Sequence, residues 1–179
     1  MNLYFRLIMI LFKSRFASKI GVLDESCMTY RVWPFDCDIN LHLTNARYFA
    51  LCDLSRIYYM GQVGVLFKLI ARNWLPVAQA QEISYYKAIN PFKKFKVLTQ
   101  LIYWDEKYWY TEHKFISNNK LCAVVQVRGV FVHGRKVLPF YDVLAVTGEK
   151  VDTPDKPITV EKWQALIESK KETVASQDA

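Results

Sequence analysis

Two carboxylates, an imidazole and two amides lie within ten consecutive residues of this chain. Asp36 and Asp38 are two positions apart, His42 follows four residues later, and Asn45 ends the run. Two carboxylates beside an apolar cavity repel each other, which leaves one of them ionised as a base or nucleophile. The simpler alternative is that Asp36 caps a turn and Asp38 pairs with Arg47. Both interpretations place a polar turn at the edge of an apolar core.

A strand before this run and a helix after it would hold the polar side chains in place. Alternating side chains predict a strand at residues 28–33, which Pro34 closes. Apolar residues at i, i+3 and i+4 spacing predict a buried helix that begins near Thr44 or Asn45 and ends at Gly61. The first N–H groups of such a helix have no intrahelical partner and lie at the positive end of its dipole. Aimed at a carbonyl oxygen, they would stabilise a developing oxyanion.

The remaining polar and nucleophilic side chains of the run each allow more than one role. His42 would act as an acid, orient a substrate or hydrogen-bond the loop in place. Asn45 would orient a water molecule or cap the helix. Cys37 and Cys52 have no identifiable base held against them, so neither is predicted to be a nucleophile.

The rest of the chain predicts an antiparallel sheet. A short helix is expected at residues 63–72, and period-two patterns then predict four or five antiparallel strands, the first at 78–86. One long helix against a strongly curved antiparallel sheet is an α+β arrangement. We divide the chain into an apolar and basic arm at 1–23, a main domain at 24–147 and a polar tail with a surface helix at 148–179.

Composition excludes several classes of protein. The 179 residues are 52% hydrophobic and 15% aromatic, which suits one packed domain and excludes a disordered chain. The net charge of +7 favours an anionic partner, such as a phosphate-bearing ligand or a membrane surface. Nucleic acid is not predicted, because no recognised binding motif is present and the aromatic residues alternate like core residues. The four cysteines lack CxxC spacing, which predicts reduced core thiols in a cytoplasmic protein.

The N-terminal segment, residues 1–19, has two main interpretations, and a cleaved signal or a true membrane span is the remaining alternative. Its apolar run at 7–12 is far shorter than the roughly 20 residues that a membrane-spanning helix needs. One interpretation is a helix packed on its own domain or on a partner subunit. The other is a peripheral anchor at the inner face of a membrane, with four basic residues facing anionic lipid. These residues are Arg6, Lys13, Arg15 and Lys19.

The run from Asp36 to Tyr48 resembles the D-x-D-x-x-G-H-x-N-N-x-x-Y signature of the 4-hydroxybenzoyl-CoA-thioesterase-like branch of hotdog acyl-CoA thioesterases. The resemblance covers about residues 30–140 and looks closest to the thioesterase superfamily member six-like branch. It implies the hotdog fold, in which a curved antiparallel sheet wraps a long central helix. It also implies cleavage of an acyl thioester, carried by CoA or by acyl carrier protein, to a free acid and a thiol.

The resemblance also assigns roles to single residues. The second aspartate of the signature, which is the catalytic acidic residue, corresponds to Asp38, and His42 and Asn45 are its catalytic neighbours. Other residues are expected to contact the substrate, the lysines through the phosphates of CoA: Asp36, Leu41, Tyr48, Lys93, Lys94 and Lys96. No metal is implied, and no cofactor except the CoA of the substrate. Hotdog subunits commonly pair edge to edge, which implies a homodimer or a higher homo-oligomer.

Two positions depart from the signature. Leu41 stands where the family has glycine, and Thr44 stands where it has asparagine. A leucine there would change the shape of the pocket, which favours, as the alternative, a non-catalytic protein that binds acyl thioesters or lipids. Other hotdog thioesterases place their acid on the central helix, so Asp53 is a second candidate unless it forms an i, i+3 ion pair with Arg56. A dehydratase that uses His42 and a purely structural role are weaker alternatives.

Overall fold

One long helix, α2 (Asn45–Val63), packs against a curled antiparallel sheet in the computed structural model, which describes residues 3–177. The strands are β1 (Ser26–Arg31), β2 (Trp74–Tyr85), β3 (Lys94–Trp104), β4 (Trp109–Ser117), β5 (Lys120–His133) and β6 (Lys136–Leu138). The other helices are α1 (Leu3–Arg15), α3 (Leu66–Ala71), α4 (Phe140–Ala145) and α5 (Ile158–Gln177). This is the predicted α+β architecture of a sheet wrapped around a central helix.

The sheet has the order β1-β3-β4-β5-β2, and the short β6 also pairs with β5. All of these pairings are antiparallel. The first strand after the helices was expected at 78–86, but β2 begins at Trp74 and includes Pro76. A proline has no N–H to donate, and an edge strand accepts it because one of its sides has no neighbour in the sheet. β2 is therefore a long edge strand rather than a short one.

Helix α2 is buried on most sides, and Leu51 and Cys52 are fully enclosed. The predicted stop at Gly61 is wrong, because the helix continues to Val63 and ends at Gly64, whose φ of 85° is left-handed. Gly61 instead lies against α1, where an added Cβ would come within 2.3 Å of the Cβ of Ser14. The glycine in the helix thus permits close packing of two helices, and the next glycine ends the helix.

Helix α1 packs along α2, as the first interpretation of the N-terminal segment predicts. Ile10 and Arg6 are buried at 3% and 4% exposure. The expectation that Arg6 faces lipid is therefore wrong, since its side chain points into the fold toward Asp36. No helix within residues 3–177 combines the length and the apolar character needed to span a membrane.

Helix α5 covers the far side of the sheet. Val160 and Trp163 are buried and form a small cluster with Tyr110 of β4. The Tyr110 hydroxyl accepts a hydrogen bond of 2.6 Å from the Nε2 of Gln164. The arm and the tail therefore both pack on the main domain.

Candidate active site

The loop between the first strand and α2 is held by its own backbone and by Asp38. The Oδ1 of Asp38 accepts hydrogen bonds from the backbone N–H groups of Asn40, at 2.9 Å, and His42, at 3.3 Å. The backbone N–H of Asp38 donates to the carbonyl of His42 at 2.9 Å. Leu43 closes the loop, because its N–H donates to the carbonyl of Ile89 at 2.9 Å. The second carboxylate oxygen of Asp38 has no bonded partner within residues 3–177, and the side chain is exposed.

Four of the predicted site residues line one open depression of about 290 Å³. They are Asp38, His42, Asn45 and Tyr48. The opposite wall comes from the end of β2 and the residues after it, namely Tyr85, Tyr86, Lys87 and Ala88. The structure thus brings together a carboxylate, an imidazole and an amide whose spacing in the sequence alone could not establish contact.

Helix α2 begins at the edge of this depression with unoccupied backbone donors. Thr44 is the residue before the first turn, and its side chain makes no capping hydrogen bond. The backbone N–H of Thr44 donates to the carbonyl of Asp36, and the carbonyl of Thr44 accepts a hydrogen bond from the N–H of Arg47. The N–H groups of Asn45 and Ala46 lie between these two bonds, where a helix supplies no partner. They can receive a negative oxygen at the positive end of the helix dipole.

Asp36 does not line the depression, contrary to its predicted role as a substrate contact. Its carboxylate is 1% exposed and forms ion pairs with Arg6 and with the Nε of Arg47, the latter at 3.2 Å. It also accepts the backbone N–H of Trp33 at 3.1 Å. The alternative that Asp38 pairs with Arg47 is also wrong, because Asp36 occupies that guanidinium. A buried carboxylate between two guanidinium groups holds the loop against α1 and α2.

Leu41 likewise lies outside the lining of the depression. Its side chain is 66% exposed, and its backbone φ is +57°. A leucine in this left-handed region is strained, whereas glycine adopts it freely. The position therefore requires an unusual backbone conformation, which is a physical reason for a glycine in the signature.

Tyr48 forms the inner wall of the depression. It is 2% exposed, and its ring packs against Tyr85 at 5.2 Å and against Phe115 at 4.8 Å between centroids. Burial raises the pKa of the Tyr48 phenol well above its usual range. The residue therefore presents a neutral aromatic surface to any ligand in the depression.

The predicted lysines separate into two groups. Lys93 lines a second depression together with Lys87 and Lys120, and this depression adjoins the first because Lys87 and Ala88 line both. Lys94 and Lys96 are exposed on β3, opposite Arg31 and Thr29 of β1, and line neither depression. Sequence reasoning missed Lys120. The sequence feature that points to Lys120 is the turn at Asn118 and Asn119, both of which have positive φ. This turn pairs Lys120 with Ser117, and Lys120 then lines the same depression as Lys93.

Comparisons with known proteins show the family and the fold of this chain. A family model described as the thioesterase-like superfamily matches residues 32–148. The chain belongs to the thioesterase-like superfamily. The matched segment includes the loop, α2, α3, strands β2 to β6 and α4, and it begins directly after β1. The predicted family is confirmed.

Curated relatives of this thioesterase-like chain come from several animals and from yeast. Protein THEM6 of Danio rerio is 28% identical over 160 residues, which cover 87% of this chain and 77% of the relative. The probable thioesterase YBR096W of Saccharomyces cerevisiae is 30% identical over 146 residues. That alignment covers 76% of this chain and 63% of the yeast protein, so part of the yeast protein has no counterpart here.

Solved structures confirm the predicted hotdog fold. A 1,4-dihydroxy-2-naphthoyl-CoA thioesterase, Slr0204 from Synechocystis, superposes with a TM-score of 0.61 at 12% identity. The match covers 73% of this chain and all of that one. The SAV2348 protein of Staphylococcus aureus, determined in complex with CoA, gives a TM-score of 0.62 at 14% identity, covering 77% and 94%. Identities this low show a common fold and no more.

Other candidate groups of this superfamily member lie outside the depression. Asp53 forms the predicted i, i+3 ion pair with Arg56. Cys52 is fully buried, and burial raises the pKa of its thiol well above the usual range. Cys27 is exposed, so it is not the core thiol that was predicted. Within residues 3–177, no group of three or more His, Cys, Asp or Glu side chains is arranged to hold a metal ion.

Proposed function

We propose that this protein hydrolyses an acyl thioester of CoA, with Asp38 as the residue that acts at the thioester carbonyl. The observation that carries the proposal is the pairing of two groups in one depression. Asp38 keeps one carboxylate oxygen without a partner among residues 3–177, and the start of α2 offers backbone N–H groups beside it. Acyl hydrolysis needs both a base or nucleophile and an oxyanion site.

The reaction follows from these positions. Asp38 takes a proton from a water molecule that attacks the carbonyl carbon, or attacks that carbon itself. The carbonyl oxygen becomes negative and accepts hydrogen bonds from the N–H groups of Asn45 and Ala46, each typically contributing about 3–4 kcal/mol in other enzymes. The C–S bond then breaks and the CoA thiolate takes a proton. When water is the nucleophile, the free acid forms in this step. When Asp38 is the nucleophile, the acyl group is left as an anhydride on Asp38, and a water molecule hydrolyses this anhydride to release the acid and restore the carboxylate. His42 and the Asn45 side chain position the loop, the water or the substrate.

The test is thiol release from a panel of acyl-CoA thioesters. We expect turnover with an apolar acyl chain, and a loss of at least about 100-fold in kcat for Asp38→Asn, as expected for a group acting on the reacting atoms. Asp155→Asn is the matched control, because Asp155 is exposed in the segment before α5. An unchanged rate for Asp38→Asn would refute its role. Tight acyl-CoA binding without thiol release would instead identify a non-catalytic thioester-binding protein.

We also propose that the lysine-lined depression binds the phosphates of CoA. Lys87, Lys93 and Lys120 form a cationic surface directly beside the Asp38 depression. Phosphates are attracted to such clusters, and the attraction weakens as salt increases. Lys93→Glu should raise KM for acyl-CoA with little change in kcat, whereas Lys162→Glu on α5 should leave KM unchanged. Equal KM values for the two variants would contradict this assignment.

The free edge of β2 supports the predicted homodimer. This edge strand is twelve residues long and exposes apolar side chains, among them Leu75, Val77 and Tyr85. An uncovered edge of this kind is a template for another strand. A second copy along β2 would approach the Asp38 depression, because Tyr85 and Tyr86 form its wall. Light scattering that gives a dimer mass supports the proposal, and a monomer at micromolar concentration contradicts it.

The outer face of α1 supports the predicted peripheral contact with a membrane on its cytoplasmic side. Phe5, Ile8, Phe12 and Phe16 are between 53% and 73% exposed on one side of the helix. Lys13 and Arg15 flank them in the last turn. Exposed apolar side chains next to basic ones suit the surface of an anionic bilayer.

Vesicle sedimentation tests the membrane contact. The full chain should sediment with vesicles that contain phosphatidylserine and less with neutral vesicles. Phe12→Asp should abolish sedimentation, whereas Phe92→Asp, at an exposed turn elsewhere, should not. Equal sedimentation of both variants would refute the contact.

A further inference from the structure

The loop between β1 and α2 presents apolar side chains to solvent beside the proposed hydrolytic site. Phe35, Ile39 and Leu41 are 78%, 97% and 66% exposed. All three lie within seven consecutive residues, which we call the apolar loop (residues 35–41). Single exposed apolar side chains are common on protein surfaces, but a group of them marks a contact with another molecule or with a membrane.

The backbone of the apolar loop favours such a contact. Leu41 has a φ of +57°, which strains a leucine, and its exposed side chain recovers little of that cost by packing within residues 3–177. The carboxylate of Asp38 is held by the loop itself, because its Oδ1 accepts the N–H groups of Asn40 and His42. A strained leucine without burial is unfavourable in the isolated protein, so it indicates a contact outside it.

The apolar loop adjoins the outer face of α1. Asp36, inside the loop, pairs with Arg6 of α1. Trp33, two residues before the loop, lines one groove together with Met9 of α1. These two side chains are 41% and 39% exposed, so apolar surface continues from the helix to the loop.

The charged residues around this surface are mainly basic. Lys13 and Arg31 line the groove between α1 and β1, and Lys94 lies opposite Arg31 in the sheet. None of these three side chains has an ion-pair partner in the described part of the chain. Residues 1–23 and 39–52 contain no acidic residue. Basic side chains around exposed apolar ones match an anionic bilayer, whereas a second copy of this face would bring like charges together.

We propose that the apolar loop enters the anionic bilayer that α1 contacts, and that the Asp38 site takes a long-chain acyl thioester from that bilayer. This inference rests on the proposed hydrolysis and membrane contact, and it names the substrate class of the same site. The alkyl chain of a long-chain acyl-CoA partitions into the bilayer while its charged carrier stays in water, so the thioester lies at the boundary. Ile39 and Leu41 lie between Asp38 and His42 in the sequence, and both of these polar residues line the depression. The thioester would therefore reach Asp38 without first dissolving in water.

Sedimentation with vesicles of phosphatidylcholine and phosphatidylserine tests the loop contact without turnover. The full chain should bind, and Ile39→Asp should bind at least about tenfold more weakly, because a charge replaces an apolar side chain that enters the bilayer. Ile39→Leu should bind as the wild type does. Leu166→Asp, at a 49% exposed position of α5, is the matched control and should also bind normally. Circular dichroism and Tm like those of the wild type would exclude unfolding, which is not expected at a side chain as exposed as Ile39.

Thiol release from two substrates tests the source of the thioester. Palmitoyl-CoA is supplied in the same vesicles, and butyryl-CoA is supplied in solution. Ile39→Asp should lower kcat/KM for the vesicle-bound substrate at least about tenfold and leave kcat/KM for butyryl-CoA unchanged. Phe35→Asp is a second variant of the same loop and should show the same difference between the substrates.

Several outcomes would overturn the proposal. Equal vesicle binding by Ile39→Asp and the wild type would mean that the loop does not enter the bilayer. A wild-type dimer that becomes a monomer in Ile39→Asp would assign the loop to a second copy of the chain. Equal losses of kcat/KM with both substrates would mean that Ile39 acts on the hydrolytic site and not through the bilayer. Vesicle binding that depends on Ile39, in a protein that releases no thiol, would refute the proposed hydrolysis and leave the loop contact intact.

Discussion

Two arginines pair with aspartates beside the central helix, Arg6 near its start and the partly buried Arg56 within its second half, and their surroundings differ. Arg6 is 4% exposed and pairs with Asp36, which is itself 1% exposed and also pairs with Arg47. Arg56 is 12% exposed and pairs with Asp53, which is 55% exposed. Only the second arginine keeps a buried nitrogen without a partner within residues 3–177. The first arginine therefore belongs to an ion pair that holds a loop, whereas the second keeps a donor without an acceptor among the described residues.

The same contrast separates the two cavities. The depression at the start of α2 is open and polar, and its carboxylate is held by backbone N–H groups of its own loop. A second cavity, of about 60 Å³, lies between the second half of α2, α4 and the sheet, and it is half-open and lined mainly by apolar side chains. Arg56 and Trp109 are part of this lining, and each has a buried nitrogen without a hydrogen-bond partner within residues 3–177.

The largest loss in the free energy of unfolding is expected when Asp36 is removed from its ion pairs with Arg6 and Arg47. Asp36→Ala would leave Arg6 buried without its carboxylate, and removing one partner of a buried pair typically costs about 3–5 kcal/mol. Urea unfolding followed by circular dichroism measures the change in the free energy of unfolding. The exposed Asp155→Ala should change it by less than about 0.5 kcal/mol. A loss below about 1 kcal/mol in Asp36→Ala would show that this pair does not hold the loop.

The local features of the first region could be predicted from the sequence. The strand, the polar run and the buried helix follow one another within about forty residues, and side-chain periodicity sets each of them. The signature also pointed to Asp38, His42, Asn45 and Tyr48, which the structure places in one depression. These residues are near neighbours along the chain, so one turn suffices to bring them together.

Contacts between distant segments could not be predicted in this way. Asp36 pairs with a residue thirty positions earlier, and its carboxylate looks the same in sequence as that of Asp38. The cavity of Arg56 depends on Trp109 and Gly129, which meet only because β4 and β5 pair in a particular register. No periodicity encodes that register. Gly61 resembled a helix stop for a related reason, since its neighbour Ser14 lies on another helix.

The free energy of unfolding is expected to depend on pH through His113, which lies near Arg56. The pKa of His113 is held well below its usual value by burial and by Arg56, so the folded protein resists protonating it. Below about pH 6.5 the unfolded chain binds this proton and the folded chain does not, so unfolding becomes easier as the pH falls. The loss is at most about 1.4 kcal/mol per pH unit for one proton.

Denaturant unfolding between pH 8 and pH 5 measures this dependence. His113→Gln should unfold with a shallower slope over that range, and the exposed His133→Gln should keep the slope of the wild type. Identical slopes for the wild type and His113→Gln would mean that burial and the charge of Arg56 do not keep His113 unprotonated in the folded protein.

A smaller effect is expected at the strained residue of the open region. Leu41 has a φ of +57°, so Leu41→Gly should relieve strain and raise the free energy of unfolding by up to about 1 kcal/mol. Leu41→Val should lower it, because a branched Cβ tolerates this conformation poorly. The two variants differ in sign, and chemical unfolding resolves them. A loss of stability in Leu41→Gly would show that the exposed leucine side chain, rather than its backbone, matters to the loop.

The smallest effect on stability is expected at Arg56. Arg56→Met keeps the apolar stem over Trp109 and removes a buried donor that has no acceptor. The abandoned Asp53 is 55% exposed and can be hydrated, so the free energy of unfolding should change by less than about 1 kcal/mol. Urea unfolding of this variant beside Asp36→Ala therefore compares the two arginines directly. Equal losses would mean that both ion pairs are structural. A near-zero change in Arg56→Met would mean that the Asp36 pair holds the fold and the Arg56 pair does not.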